Sequence, residues 1–192
     1  MQQLEKHGAH ATHFIVGAHV DAVDAAGAAR GRPGAGRAAL RRMLLAGHEL
    51  GNHTWYDRPT IKLAPDQLKK EISQVAALIR AAEADAAATA ASAHGADAAA
   101  PKAAAAAAAP QLRWFRPGCG WFDAAVLAEA EQAGCTTVLG TVFPYDTHSK
   151  VPVINALYCW LKAYCGAIIV LHDGNTWVAV AHGSRAGRSH VA

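Results

Sequence analysis

Runs suited to strands alternate with runs suited to helices along this chain, and that order constrains its fold more than any bulk property. Leu4 to His7-Gly8 reads as a helix end with a glycine stop, and Ala11–Gly17 is a short β-rich run of the buried type. Helical spacing at Leu40, Met43 and Leu44 ends near Gly47, ahead of a short strand around His48–Leu50. Pro65-Asp66 opens an amphipathic helix in which Leu68, Ile72, Val75, Leu78 and Ile79 share one face, while Lys69, Lys70 and Glu71 take the other. There follow a strand at Leu112–Phe115, a helix from Asp123 to Gly134, a strand at Thr136–Leu139, a helix at roughly Val153–Tyr164 and a strand at Ala167–Leu171. Strands alternating with helices predict a parallel α/β architecture.

Two stretches interrupt the pattern. Residues 21–37 are rich in Ala, Gly and Arg with Pro33, and read as an inserted loop. Residues 84–111 belong to an alanine tract broken by Gly95, Pro101 and Pro110. Alanine favours helix, but a face of methyl groups buries little, so the tract reads as a surface insertion, a frayed helix or disorder. Alanine also inflates the 52% hydrophobic content, leaving the larger aliphatic residues to supply the core of one domain. The net charge of +3 is scattered, without a basic run interleaved with aromatics, which argues against nucleic acid as a partner. No apolar run is long enough to span a membrane, and the charged start Met-Gln-Gln-Leu-Glu-Lys has no signal-peptide core. Cys119, Cys135, Cys159 and Cys165 form no C-x-x-C pair; they read as free buried thiols, with a Cys159–Cys165 bridge as the alternative.

Chemistry-bearing residues concentrate in three phrases: Gly-His-Glu-Leu-Gly-Asn-His-Thr-Trp-Tyr-Asp at 47–57, Phe-Arg-Pro-Gly-Cys-Gly-Trp-Phe at 115–122, and Ile-Ile-Val-Leu-His-Asp-Gly at 168–174. His53 and Asp57 are four residues apart, so a helical turn would project both toward one point, where an imidazole and a carboxylate suit Zn²⁺ or a similar ion. The alternative is that Asp57 caps a turn or pairs with Arg58. Trp121 reads equally as a sugar platform or a core residue, and His48 as packed structurally.

Together the three phrases resemble the signature blocks of the polysaccharide deacetylases, carbohydrate esterases with a NodB homology domain. The resemblance covers about residues 1–174 outside the two insertions and leaves 175–192 as an irregular tail. It implies an incomplete, irregular (β/α) barrel with catalytic groups at the C-terminal strand ends. The activity it implies is metal-dependent removal of acetyl groups from N-acetylated sugars of a polysaccharide, with Zn²⁺ or Co²⁺ as cofactor and an acetylated glycan as partner. His53 and Asp57 would be metal ligands, Asp57 standing where the family places a second histidine. Arg116 would brace a catalytic aspartate, and His172 would be the general acid, kept protonated by Asp146. Leu171 would wall the acetyl-methyl pocket, and Trp121 would stack on sugar. The family's Asp-Asp block, which supplies the base and a third ligand, would lie ahead of Met1. The chain is therefore expected to be N-terminally truncated, with a catalytically impaired remnant or carbohydrate-binding relative as the alternative function. Members of the family are usually extracellular or wall-associated; the sequence itself fixes neither location nor oligomeric state.

Overall fold

Pro65 opens the longest helix among the described residues, and its apolar stripe lies in the buried core. The computed structural model describes residues 2–94, 114–149 and 151–172. In chain order these residues form α1 (Gln2–Lys6), β1 (Thr12–Ile15), α2 (Gly17–Ala28), α3 (Ala35–Leu45), β2 (Glu49–Asn52) and α4 (Pro65–His94). After them come β3 (Trp114–Phe115), α5 (Ala124–Gln132), β4 (Thr136–Thr137) and α6 (Pro152–Lys162), with single 3-10 turns at Thr60–Lys62 and Gly118–Gly120. The chain divides into two compact units, Met1–Val138 and Leu139–Ala192.

In the first unit the strands lie in the order β1-β2-β3-β4, and every pairing is parallel. Thr12 to Ile15 pair with Glu49 to Asn52, Asn52 with Phe115, and Trp114-Phe115 with Thr136-Thr137. Helices make each crossover, as parallel pairing requires. β1 and β4 stand at the two ends of the described sheet, so it is an open portion of an irregular α/β barrel. Leu68, Ile72, Val75 and Ile79 of α4 meet Leu50, Phe115, Leu40 and Val126 in one buried cluster. Each such side chain contributes about 1.5–3 kcal/mol through the apolar area it removes from water.

The stretch 21–37, expected to be a loop, instead holds most of α2 and the start of α3. Its small residues allow a close helix crossing: a Cβ on Gly36 would stand 2.4 Å from the Val20 carbonyl oxygen, and one on Gly27 would stand 2.7 Å from the Ala35 Cβ. Gly34 at the N-cap of α3 has no side chain to cap with. Asp24 of α2 does that work, accepting from Gly36 N–H at 2.6 Å and pairing with Arg37 at 2.6 Å. The alanine tract begins as ordered helix, since α4 runs to His94; residues 95–113 lie outside the described residues. The tail from 175 lies outside them as well.

In the second unit, the strand expected at Ala167–Leu171 is reduced to one parallel bridge, Val142 with Ile169. Around that bridge the Thr141 hydroxyl accepts Ile168 N–H at 2.9 Å, the Ile168 carbonyl accepts Thr141 N–H at 2.9 Å, and Ala167 N–H turns back to the Tyr164 carbonyl. α6 exposes Val153, Ile154, Leu157, Trp160 and Leu161. Among the described residues no helix is long and apolar enough to cross a membrane. All four cysteines are free thiols, but Cys135 alone is buried, and burial pushes its thiol up to about 11.

His48, at the start of β2, is buried and accepts the Ala11 N–H on Nδ1 at 3.1 Å, joining β2 to the entry of β1. The His10 and His13 rings lie edge-on to it at 5.8 and 5.1 Å. Burial holds the imidazole below its ordinary value of 6.5; His10 and the amino terminus add to the drop, and Glu5 opposes it. A depressed histidine binds fewer protons folded than unfolded, so its contribution is full above pH 6.5 and is lost as pH falls through the folded value. Urea unfolding should show stability declining below pH 6.5, by at most about 1.4 kcal/mol per pH unit from this group. His48→Gln, which keeps an acceptor for Ala11, should flatten that decline; an unchanged pH profile would refute the assignment.

Candidate metal and catalytic site

β2 ends at Asn52, and the chain turns sharply there because the Asn52 side chain directs it. Its amide nitrogen donates to the Ile72 carbonyl of α4 at 2.8 Å, and its side-chain oxygen accepts Thr54 N–H at 2.9 Å. Thr54 adopts φ +65, an uncommon conformation for a β-branched residue, and its hydroxyl reaches the Tyr56 carbonyl at 2.9 Å. The carbonyls of Thr54 and Trp55 then accept Gly17 N–H and Ala18 N–H at the head of α2. Gly17 is required there, because a Cβ would stand 2.3 Å from the Trp55 ring.

His53 follows β2, with its backbone N–H bonded to the Ile15 carbonyl at 3.0 Å. Its ring Nδ1 lies 2.6 Å from the Arg116 carbonyl. A carbonyl can only accept, so Nδ1 carries the proton and the lone pair sits on Nε2. Nε2 faces Asp57, 3.8 Å from Oδ1. That gap is long for a hydrogen bond, yet two metal–ligand bonds of about 2.1 Å each can span it. A backbone carbonyl on the far nitrogen is also the usual support for a metal-binding histidine. In donor type, tautomer and spacing, the pair fits a divalent ion. Among the described residues, no group of three or more His, Cys, Asp or Glu could hold one.

Arg116 follows β3, beside this pair. Its guanidinium lies over the Phe14 ring at 3.9 Å, and Nε donates to the Val138 carbonyl at 3.1 Å. Burial lowers its pKa, but an arginine stays charged at any working pH. The following loop lies hard against the 53–58 segment: a Cβ on Gly118 would meet the Arg58 carbonyl oxygen at 2.0 Å. Thr60 donates to the Trp121 carbonyl at 2.8 Å, and Trp121 is 52% exposed, so it is not a core residue. Burial and the charge of Asp57 push the Cys119 thiol up, with Lys62 opposing, so Cys119 remains a thiol rather than a thiolate.

In the second unit, His172 and Asp146 form a two-point contact. The buried Asp146 carboxylate accepts the His172 backbone N–H at 2.6 Å and lies 2.8 Å from ring Nδ1. Phe143 packs edge-on against the imidazole at 5.5 Å. The ring is thereby fixed with Nδ1 on the carboxylate, and its side chain stays 40% exposed. Leu171 is 65% exposed.

Glu71, read as part of the polar face of α4, is fully buried. Its carboxylate accepts the amides of Trp55 and Tyr56, the guanidinium of Arg58 and the amide of Gln67. The signal was present in the spacing, since 71 lies three residues after Leu68 and four before Val75, inside the apolar stripe.

The sequence model of the polysaccharide deacetylase family matches residues 1–110, more than half of the chain. The chain belongs to the polysaccharide deacetylase family. A comparison with curated proteins finds no match. Among solved structures, the fold is similar to that of a CE4 family pseudoenzyme from Bacillus anthracis, at 21% identity and TM-score 0.66, over 94% of this chain and 51% of that one. It is similar to the peptidoglycan deacetylase PdaC of Bacillus subtilis, at 21% identity and TM-score 0.65, over 94% and 69% of the two chains. It is similar also to a family 4 acetyl xylan esterase of Clostridium thermocellum in complex with a cobalt ion, at 24% identity and TM-score 0.62, over 90% and 64%. The chain thus spans about half the length of the Bacillus anthracis structure. These likenesses establish the fold of this polysaccharide deacetylase family member as the family's α/β barrel type.

The close approach at Gly118 gives a direct check on the loop pairing. Gly118→Ala should destabilise the chain by about 1–3 kcal/mol, because the added methyl must displace the Arg58 backbone rather than a flexible side-chain end. Urea unfolding measures this, and a change within about 0.5 kcal/mol would mean the two loops do not meet as described.

Proposed function

We propose that this polysaccharide deacetylase family member removes acetyl groups from N-acetylated sugars of a polysaccharide, with a divalent ion, Zn²⁺ or Co²⁺, held by His53 and Asp57. The observation that carries the reading is the tautomer lock on His53, which turns the Nε2 lone pair toward the Asp57 carboxylate. Such an ion, when bound, would polarise the acetyl carbonyl and acidify a water. The remaining roles fall to side chains. In the second unit, His172 has the arrangement of a general acid, its ring kept in one orientation by Asp146 on Nδ1 with Nε2 left for proton transfer. Arg116, its guanidinium held over the Phe14 ring, is the residue that would brace a catalytic aspartate. The exposed Trp121 ring offers a flat apolar face of the kind that sugars stack on, and the exposed Leu171 of the second unit is the residue that would wall an acetyl methyl. An acetylated glycan is the partner this set would recognise.

A second reading is a catalytically impaired, glycan-binding relative. It is favoured by the two-donor set, since catalytic zinc sites use three protein ligands and the described residues supply two. The two readings separate in one assay, acetate release from N-acetylglucosamine oligomers with added Co²⁺ or Zn²⁺. The first reading expects metal-stimulated release that is abolished by chelation or by His53→Ala, and lowered about 10²–10⁴-fold by His172→Asn. Binding of oligomers without acetate release would establish the second reading. Release unaffected by His53→Ala would overturn the metal assignment.

A further inference from the structure

Asp57 has little support of its own. It lies on a segment without helix or strand, its side chain is 53% exposed, and among the described residues its ion-pair partner is His53 at 3.8 Å. Holding such a residue in one conformation costs about 1–2 kcal/mol of backbone entropy. Something adjacent must offset that cost if Asp57 is to act as a ligand.

We propose that Glu71 is a positioning residue for the metal-binding edge, its buried carboxylate gripping the chain on both sides of Asp57 so that the Asp57 carboxylate faces His53. One oxygen, Oε2, accepts Trp55 N–H and Tyr56 N–H, both at 3.2 Å, immediately before Asp57. The other, Oε1, accepts the guanidinium of Arg58, immediately after Asp57, and Gln67 Nε2 at 2.8 Å. An ionised carboxylate offers about four acceptor positions, and all four are filled. The carboxylate reaches this point because residue 71 occupies the stripe of α4 that packs under the end of β2, next to Ile72, whose carbonyl holds Asn52. Burial by itself would favour the neutral acid, but the hydrogen bonds from Gln67, Arg58 and Tyr56 outweigh it and hold the carboxyl below its ordinary value. The anion is therefore present at neutral pH, and an amide in its place would present N–H groups to at least one donor.

This inference rests on the metal reading of His53 and Asp57, and the experiment separates the two. Co²⁺ is titrated by calorimetry into the full chain, the Glu71→Gln variant and the Arg58→Met variant, with circular dichroism confirming each fold. A purely structural Glu71 would lower stability but leave the Co²⁺ affinity of the folded protein unchanged. A positioning Glu71 predicts a loss of about 10–100-fold in affinity for Glu71→Gln, the usual effect of removing an outer support of a metal ligand. Arg58→Met should lose several-fold, because the two amide bonds remain. If Glu71→Gln fails to fold, Arg58→Met decides the matter, since the Arg58 side chain is 43% exposed and its removal leaves the core intact. Wild-type binding with both folded variants unchanged overturns this proposal alone. A wild-type chain that takes up no Co²⁺ overturns the metal reading, and this proposal with it.

Discussion

A buried polar joint between the end of β2 and the helix α4 carries the rest of the first unit. Asn52 and Glu71, both fully buried, reach from the strand end and the helix to the same short segment, residues 54–58. Each hydrogen bond nets about 1 kcal/mol, whereas stranding a buried polar partner costs about 1–3 kcal/mol, so the joint resists partial disassembly. Its bonds also tie together pieces distant in sequence. The Asn52 carbonyl accepts Arg116 N–H just after β3, and the carbonyls of Thr54 and Trp55 accept the first amides of α2. Three crossovers of the sheet meet at one loop, and that loop bears the proposed ligand Asp57.

The two histidines of interest are oriented by different partners, and the difference suits different work. His53 gives its Nδ1 proton to a backbone carbonyl, which leaves a lone pair on Nε2, as a metal ligand needs. His172 sets Nδ1 against the Asp146 carboxylate, which also holds its backbone, an arrangement that orients a ring for proton transfer at Nε2. His53 is held through the strand pairing of β2 with β3, and His172 through an aspartate buried beneath it.

The order of strands and helices was legible because it rests on apolar periodicity, which burial enforces. β1, β2, α4 and α5 fall where the spacing of Ile15, Leu50, Ile72, Val75 and Val126 requires. The pairings His53–Asp57 and His172–Asp146 were legible only through the family's phrases, since spacing alone allowed Asp57 to cap a turn. What the sequence hid was of two kinds. Residues 21–37 looked like a loop because Gly27 and Gly36 usually break helices, whereas here the missing side chains let α2 and α3 cross closely. Glu71 looked solvated because it is charged, yet its position in the stripe placed it under the 55–58 segment. A charge in an apolar stripe signals a buried network, and the network's other members are backbone amides that no sequence pattern displays.

Native-state amide hydrogen exchange tests the central claim most directly, because it reads the joint without perturbing it. If Glu71 and Asn52 hold residues 54–56 as part of the core, the amides of Thr54, Trp55 and Tyr56 should exchange with the same opening free energy as those of Ile72 and Val75 in α4. Exchange of those three amides at the rate of an exposed loop, while α4 stays protected, would contradict the account.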